Sequence, residues 1–192
     1  DGTQHFAVAG TATGPLNFEM TDSYTFSSWV YVTNVPATAN SGIGIVNKGD
    51  NQWTLAAYDA AASPKYWEIT TRGNNTYLQA RSNGGIVTTT NSHIGSWRKI
   101  AGTYRGAPVG QAIAESLFID GVLINTLAAT NSNNTGRNTA FNVHIGALAG
   151  GTAPGTTFSR HFWGHMDELR ISSTARSAHW MRLDYQSQQR VQ

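Results

Sequence analysis

Six tryptophans and seven tyrosines set against eleven acids frame the chemistry open to this 192-residue chain. Hydrolysis of a glycosidic bond normally needs two carboxyl groups about 5 to 9 Å apart. On a β-strand that spacing requires acids at i and i+2 or i+4, because alternate side chains share a face. No two acids here occupy one strand face. Asp167 and Glu168 are neighbours and point opposite ways, while Glu68 and Glu115 fall in separate runs. The pattern therefore argues against a hydrolase or lyase. Binding is better served. Trp53, Tyr58, Trp67, Tyr77 and Trp163 lie beside loops or among polar neighbours, with Arg72 close by. Sugars offer C–H faces that stack on such rings, and Arg, Asn and Gln side chains answer their hydroxyls. These six residues are the expected carbohydrate-binding set.

Metal chemistry has fewer candidates. There is no cysteine, so thiolate sites and disulfides are excluded. His161 and His165 stand four apart on a strand-like run, which separates the rings by roughly 13 Å at strand rise. Asp167 lies between Met166 and Leu169, where burial is expected. A carboxylate there must be hydrogen-bonded, paired or on a metal, because an unpaired buried charge is very costly.

The elements that must position these residues read as short strands. Tyr24 to Val32 alternates Tyr24, Phe26, Ser28, Val30 and Val32 against Thr25, Ser27, Trp29 and Tyr31, so both faces are covered. Ile43 to Val46, Trp53 to Tyr58, Tyr66 to Thr71, Tyr77 to Arg81, Ile86 to Thr90 and Trp97 to Tyr104 follow. Asp120-Gly121 between apolar runs predicts a tight hairpin, since both residues tolerate positive φ. Phe162 to Ser172 is expected to be the strand against which the others register, with Gly164 marking a close backbone approach. Ser177 predicts the N-cap of the one helix, Ala178 to Gln188. More than ten short strands, regular turns and one terminal helix predict an all-β, two-sheet antiparallel jelly-roll sandwich in one domain spanning residues 1–192.

Composition narrows the partners. Charged residues are 12%, well below the usual quarter, and the net charge is +2 with no basic run. That disfavours nucleic acid, which wants a concentrated basic patch. No run of 18 apolar residues suggests membrane insertion. A surface of Ser, Thr, Asn, Gln and Gly suits neutral, hydroxyl-rich partners. The start at Asp1, with no signal peptide, is expected of a processed protein or a domain of a longer one.

Six motifs, in order, resemble the laminin-G-like branch of the concanavalin A-like lectin/glucanase superfamily. They are Tyr24-Thr-Phe-Ser-Ser-Trp-Val30, Val46-Asn-Lys-Gly49, Ser96 to Tyr104, Leu117-Phe-Ile-Asp-Gly121, His144-Ile-Gly146, and Phe162 to Ile171. The resemblance covers residues 16 to 188 and implies a lectin-like module of a secreted, bacterial, multidomain protein that binds a polysaccharide. Glycosidases, lyases and adhesion or spacer domains share the fold. The resemblance also implies a structural Ca²⁺ on Asp167, with backbone oxygens from the Gly49-Asp50 loop, since hard oxygen donors suit that ion. It implies that Trp29, Trp97 and Trp180 are core, and that Trp53, Trp67 and Trp163 are more exposed than Trp29 and Trp97.

Overall fold

The computed structural model describes residues 7–10, 14–34, 42–49, 52–58, 66–74, 76–82, 94–136 and 140–189. Its strands are β1 (Ala7–Gly10), β2 (Tyr24–Val32), β3 (Gly42–Lys48), β4 (Trp53–Tyr58), β5 (Tyr66–Arg72), β6 (Tyr77–Arg81) and β7 (Trp97–Arg105). They continue with β8 (Ala112–Ile119), β9 (Val122–Thr130), β10 (Val143–Ile145), β11 (Leu148–Gly150), β12 (Thr157–Ser159) and β13 (Gly164–Ser172), before helix α1 (Ala178–Gln189). A six-stranded sheet runs β1-β10-β3-β4-β5-β6, and a five-stranded sheet runs β13-β2-β7-β8-β9. Every named strand pair is antiparallel. This is the two-sheet jelly-roll sandwich with a single C-terminal helix that the sequence predicts. The expected strand Ile86 to Thr90 lies outside the described residues.

Period-two alternation builds the core. Phe26, Val30 and Val32 from β2 meet Trp53, Leu55, Trp67 and Ile69 from the opposite sheet. The Phe26 and Trp53 rings stack at 4.6 Å. The sheets approach closely at Gly102. A Cβ there would stand 2.4 Å from Ile69 Cδ1, so the position admits no side chain. Asp120 and Gly121 both take positive φ, 52° and 73°, and join β8 to β9 as the hairpin signal requires.

The Phe162 to Ser172 segment does not play its expected central role. β13 is an edge strand that pairs with β2 alone, and β2 and β7 hold the middle of that sheet. Met166 pairs with core-facing Val30 and Asp167 with outward Trp29, so alternation turns Asp167 out, and a bulge between Asp167 and Arg170, with Glu168 at φ 51°, brings Leu169 back inward. Asp167 is exposed.

Two polar networks cross between layers. Glu115 on β8 is fully buried. Its carboxylate accepts from Thr71 Oγ1 at 2.5 Å and from the Ala80 backbone N–H at 3.2 Å, both on the opposite sheet. Tyr24 adds a 2.5 Å hydroxyl contact to Thr71. Outside the sandwich, α1 is seated on β2, β7 and β13. The Lys99 ammonium meets the Asp184 carboxylate and also donates to Gln188 Oε1 at 2.6 Å. Trp29 Nε1 donates to the same Gln188 oxygen at 2.6 Å, and Arg170 Nη1 donates to Asp184 Oδ1 at 3.0 Å. Ser177 caps the helix, its Oγ accepting from Trp180 N at 3.2 Å.

Burial raises the Glu115 carboxyl well above the usual carboxylate range, against the pull of the Thr71 and Ala80 hydrogen bonds. Folding therefore favours its protonated form. The stabilisation is full below the unfolded pKa, about 4.3, and is lost as pH rises through the higher folded value. Glu115→Gln should flatten this fall, by up to one proton in the slope of stability against pH. Chemical denaturation from pH 4 to 9 reads it, and parallel curves for both proteins would refute it. At the helix, Lys99→Met leaves the buried Asp184 with Arg170 as its one cation partner and should cost about 3 kcal/mol. The double variant Lys99→Met/Asp184→Leu should recover most of that loss in the same measurement.

Candidate functional site

The outward face of the six-stranded sheet is polar, and register accounts for it. Trp53, Leu55 and Ala57 on β4 and Trp67, Ile69 and Thr71 on β5 point into the sandwich. The alternate positions therefore point out. Strand pairing aligns His144, Asn47, Thr54, Thr70 and Gln79 as one row across five strands. The next row on one side pairs Ala56, Glu68 and Arg81, and the next on the other pairs Arg72 with Tyr77.

The centre of this face is dense with hydrogen bonds. Glu68 is buried and accepts from Arg81 Nε at 2.8 Å, Thr70 Oγ1 at 2.9 Å and Gln79 Nε2 at 3.3 Å. Burial raises its carboxyl above the usual range, and the Arg81 hydrogen bond draws it partly back. Arg81 also donates to Gln79 Oε1 at 2.7 Å, and its guanidinium lies 4.7 Å over the Tyr66 ring. The Tyr77 ring is 48% exposed, with the Arg72 guanidinium 5.0 Å from its centre. Burial, with a contribution from Glu68, pushes the Tyr77 hydroxyl up to about 12, so it stays a donor. Asn47 and Thr54 are fully buried, yet among the described residues Asn47 Oδ1 and Thr54 Oγ1 have no hydrogen-bond partner. Such orphans are rare in folded proteins.

One end of the face is roofed. The β11–β12 hairpin packs over it, with the Phe158 ring 5.2 Å from His144 and Gly44 N donating to Arg160 O at 2.7 Å. The β6 end keeps the exposed groups.

Of the six expected binding residues, the structure brings Arg72 and Tyr77 together. Trp53 and Trp67 correct the expectation: both are fully buried. Their polar sequence neighbours, Thr54, Glu68 and Thr70, belong to the opposite strand face, so polar flanks signalled alternation and not exposure. Trp163 is half-buried, packs against the core, and precedes β13 in the other sheet. The Tyr58 side chain lies outside the described residues. Trp97, expected in the core, is 38% exposed, while Trp29 is 5% exposed under α1. Sequence reasoning gave Thr54, Asn47 and His144 no place on this face. Counting alternate residues outward from the buried tryptophans would have found them.

The expected calcium ligands are spread apart. Asp167 pairs in register with Trp29, and antiparallel partners share a face, here the outer one that carries α1. Its Oδ1 accepts from Glu168 N at 2.8 Å. Gly49 follows β3 in the opposite sheet, and its carbonyl accepts from Asn47 Nδ2 at 3.1 Å. Asp50 lies outside the described residues. Among the described residues, no group of three or more His, Asp or Glu side chains could hold a metal ion.

Acid chemistry is equally sparse. Glu68 is the sole acidic residue in the six strands of this sheet, and Glu115 points between the sheets.

A two-sheet jelly roll with a polar, aromatic-edged sheet face defines a lectin-like architecture. The chain belongs to the Laminin_G_3 family, described as the Concanavalin A-like lectin/glucanases superfamily, whose model matches residues 1–181. Among solved structures, the chain is similar to the CBM40 of a Ruminococcus gnavus IT-sialidase bound to α2,3-sialyllactose. Identity there is 12%, with 95% of this chain and 97% of that one covered at a TM-score of 0.57. It is similar to a heptameric SAP-like pentraxin from Limulus polyphemus at 13% identity, 92% and 79% coverage and a TM-score of 0.56. It also resembles the binding domain of botulinum neurotoxin serotype G at 13% identity and a TM-score of 0.60, covering 95% of this chain and 40% of that longer one. At these identities the likeness is one of fold. No curated protein sequence matches the chain.

The burial pattern overturns the expected order for Trp53, Trp67 and Trp97 and keeps Trp163 more exposed than Trp29. In single-tryptophan variants, acrylamide should quench Trp97 most strongly and leave Trp53 and Trp67 nearly untouched. Strong quenching of Trp67 would mean that β5 is turned over by one residue.

Proposed function

We propose that this protein is a non-catalytic carbohydrate-binding module, and that it holds a glycan on the β5–β6 end of the six-stranded sheet. The observation that carries the reading is the outward polar row ending at Gln79, flanked by Glu68–Arg81 on one side and Arg72–Tyr77 on the other. Tyr77 supplies an exposed ring for a sugar C–H face. Gln79 and Arg81 offer donors and acceptors at the spacing of alternate strand residues, roughly 7 Å, and the buried Glu68 carboxylate holds both in place. A lone carboxylate gives no acid–base pair for glycoside cleavage. The lectin-like neighbours in fold agree with binding, and a secreted, multidomain setting belongs to the same proposal.

Titration of immobilised and soluble polysaccharides tests it. Tyr77→Ala and Arg81→Ala should each weaken binding at least tenfold, about 1.4 kcal/mol, while Trp163→Phe changes little. Prolonged incubation with β-glucans, xylan, pectin, alginate and arabinan should release no product. Turnover abolished by Glu68→Gln would make the protein an enzyme and overturn the reading.

A further inference from the structure

We propose that the glycan held here is an acidic one, and that Arg72 receives its carboxylate, the shared group of uronic and sialic acid residues. The inference rests on the glycan-binding reading above. Arg72 is half-buried on the outward face, at the β5 end opposite Tyr77. Its backbone is fixed by the hydrogen bond from its N–H to Gln52 O at 2.9 Å, and Gln52 is in turn held by Phe18 O at 2.8 Å. The guanidinium stands over the Tyr77 ring. Among the described residues, no hydrogen bond or ion pair engages that guanidinium.

That separates it from Arg81, bound to Glu68 and Gln79, from Arg98, bound to Asp120, and from Arg170, bound to Glu168 and Asp184. Arg105, exposed at the end of β7, belongs to the other sheet. A guanidinium on an aromatic face offers its N–H fork to a planar partner, and two carboxylate oxygens match that fork. The ring also shields one side of the cation from water, which strengthens what the open side can do.

Charge on the face agrees. Glu68 is the one acid of the sheet, and Arg81 already answers it. Arg72 therefore leaves the β5–β6 end with an excess positive charge beside a neutral tyrosine hydroxyl. A neutral sugar has no group to answer it. A uronate or sialate does, with its ring on Tyr77 and its hydroxyls toward Gln79.

Calorimetric titration of the whole protein decides this with paired ligands: oligogalacturonate and its carboxyl-reduced form, and sialyllactose and lactose. At least one acidic ligand should bind tenfold or more tighter than its neutral partner, and which one does names the source of the acid. Arg72→Gln should abolish the preference, bringing that acidic ligand to the affinity of its neutral partner. Arg72→Lys, which keeps the charge and loses the fork, should fall between. Raising salt should weaken the acidic ligand alone. Circular dichroism confirms that each variant is folded. Equal affinity for acidic and neutral partners, or an Arg72→Gln loss shared by both, would overturn this inference and leave glycan binding standing. No binding of any of the four ligands would overturn both.

Discussion

A single buried carboxylate ties the two sheets together on the side of the proposed glycan site. Glu115 rises from β8 and reaches the Thr71 hydroxyl and the Ala80 amide across the interior. Ala80 is the inward residue between Gln79 and Arg81, so the grip on its N–H also fixes where those two side chains emerge. β6 is an edge strand with β5 on one side only. Without an inward tether such a strand frays, because its second row of backbone groups has no partner. Asn125 Nδ2, donating to Arg81 O at 3.1 Å from β9, supplies a second hold of the same kind. The outward polar face is thus only as well ordered as the polar contacts beneath it.

The opposite side of the sandwich solves a different problem by similar means. α1 has few large apolar residues to bury, with Met181 as its main anchor beside Ala101 and Phe118. Lys99, Asp184, Gln188 and Trp29 complete the seat by satisfying one another. Satisfied polar groups of this kind specify a docking geometry more sharply than an apolar contact of equal size. The result is a molecule with one face closed by a helix and the other left polar.

The fold was legible in the sequence because alternation, the Asp120-Gly121 turn and the Ser177 cap are local signals with a physical cause. The site was legible in part. Arg72 and Tyr77 were found because both stand beside a hairpin turn. Trp53 and Trp67 were misread because polar flanks in a strand belong to the other face, and choosing a face requires knowing which side is covered. Asp167 was misread from its neighbour Leu169, because the bulge that brings Leu169 inward cannot be seen in residue types: Glu168 takes a positive φ without being glycine. Thr54 and Asn47 were missed because a small polar residue in a strand has no signature until register lines it up with others.

Gly102 carries a consequence for how this surface could change over generations. It belongs to the helix-bearing sheet, and its absent side chain leaves room for Ile69. Ile69 sits between Glu68 and Thr70, whose side chains face outward. Any residue larger than glycine at 102 would act as a shim under the middle of the polar face, tilting groups it never touches. Variation at Tyr77, Gln79 and Arg81 is therefore free to accumulate, while the floor below them is closed to it.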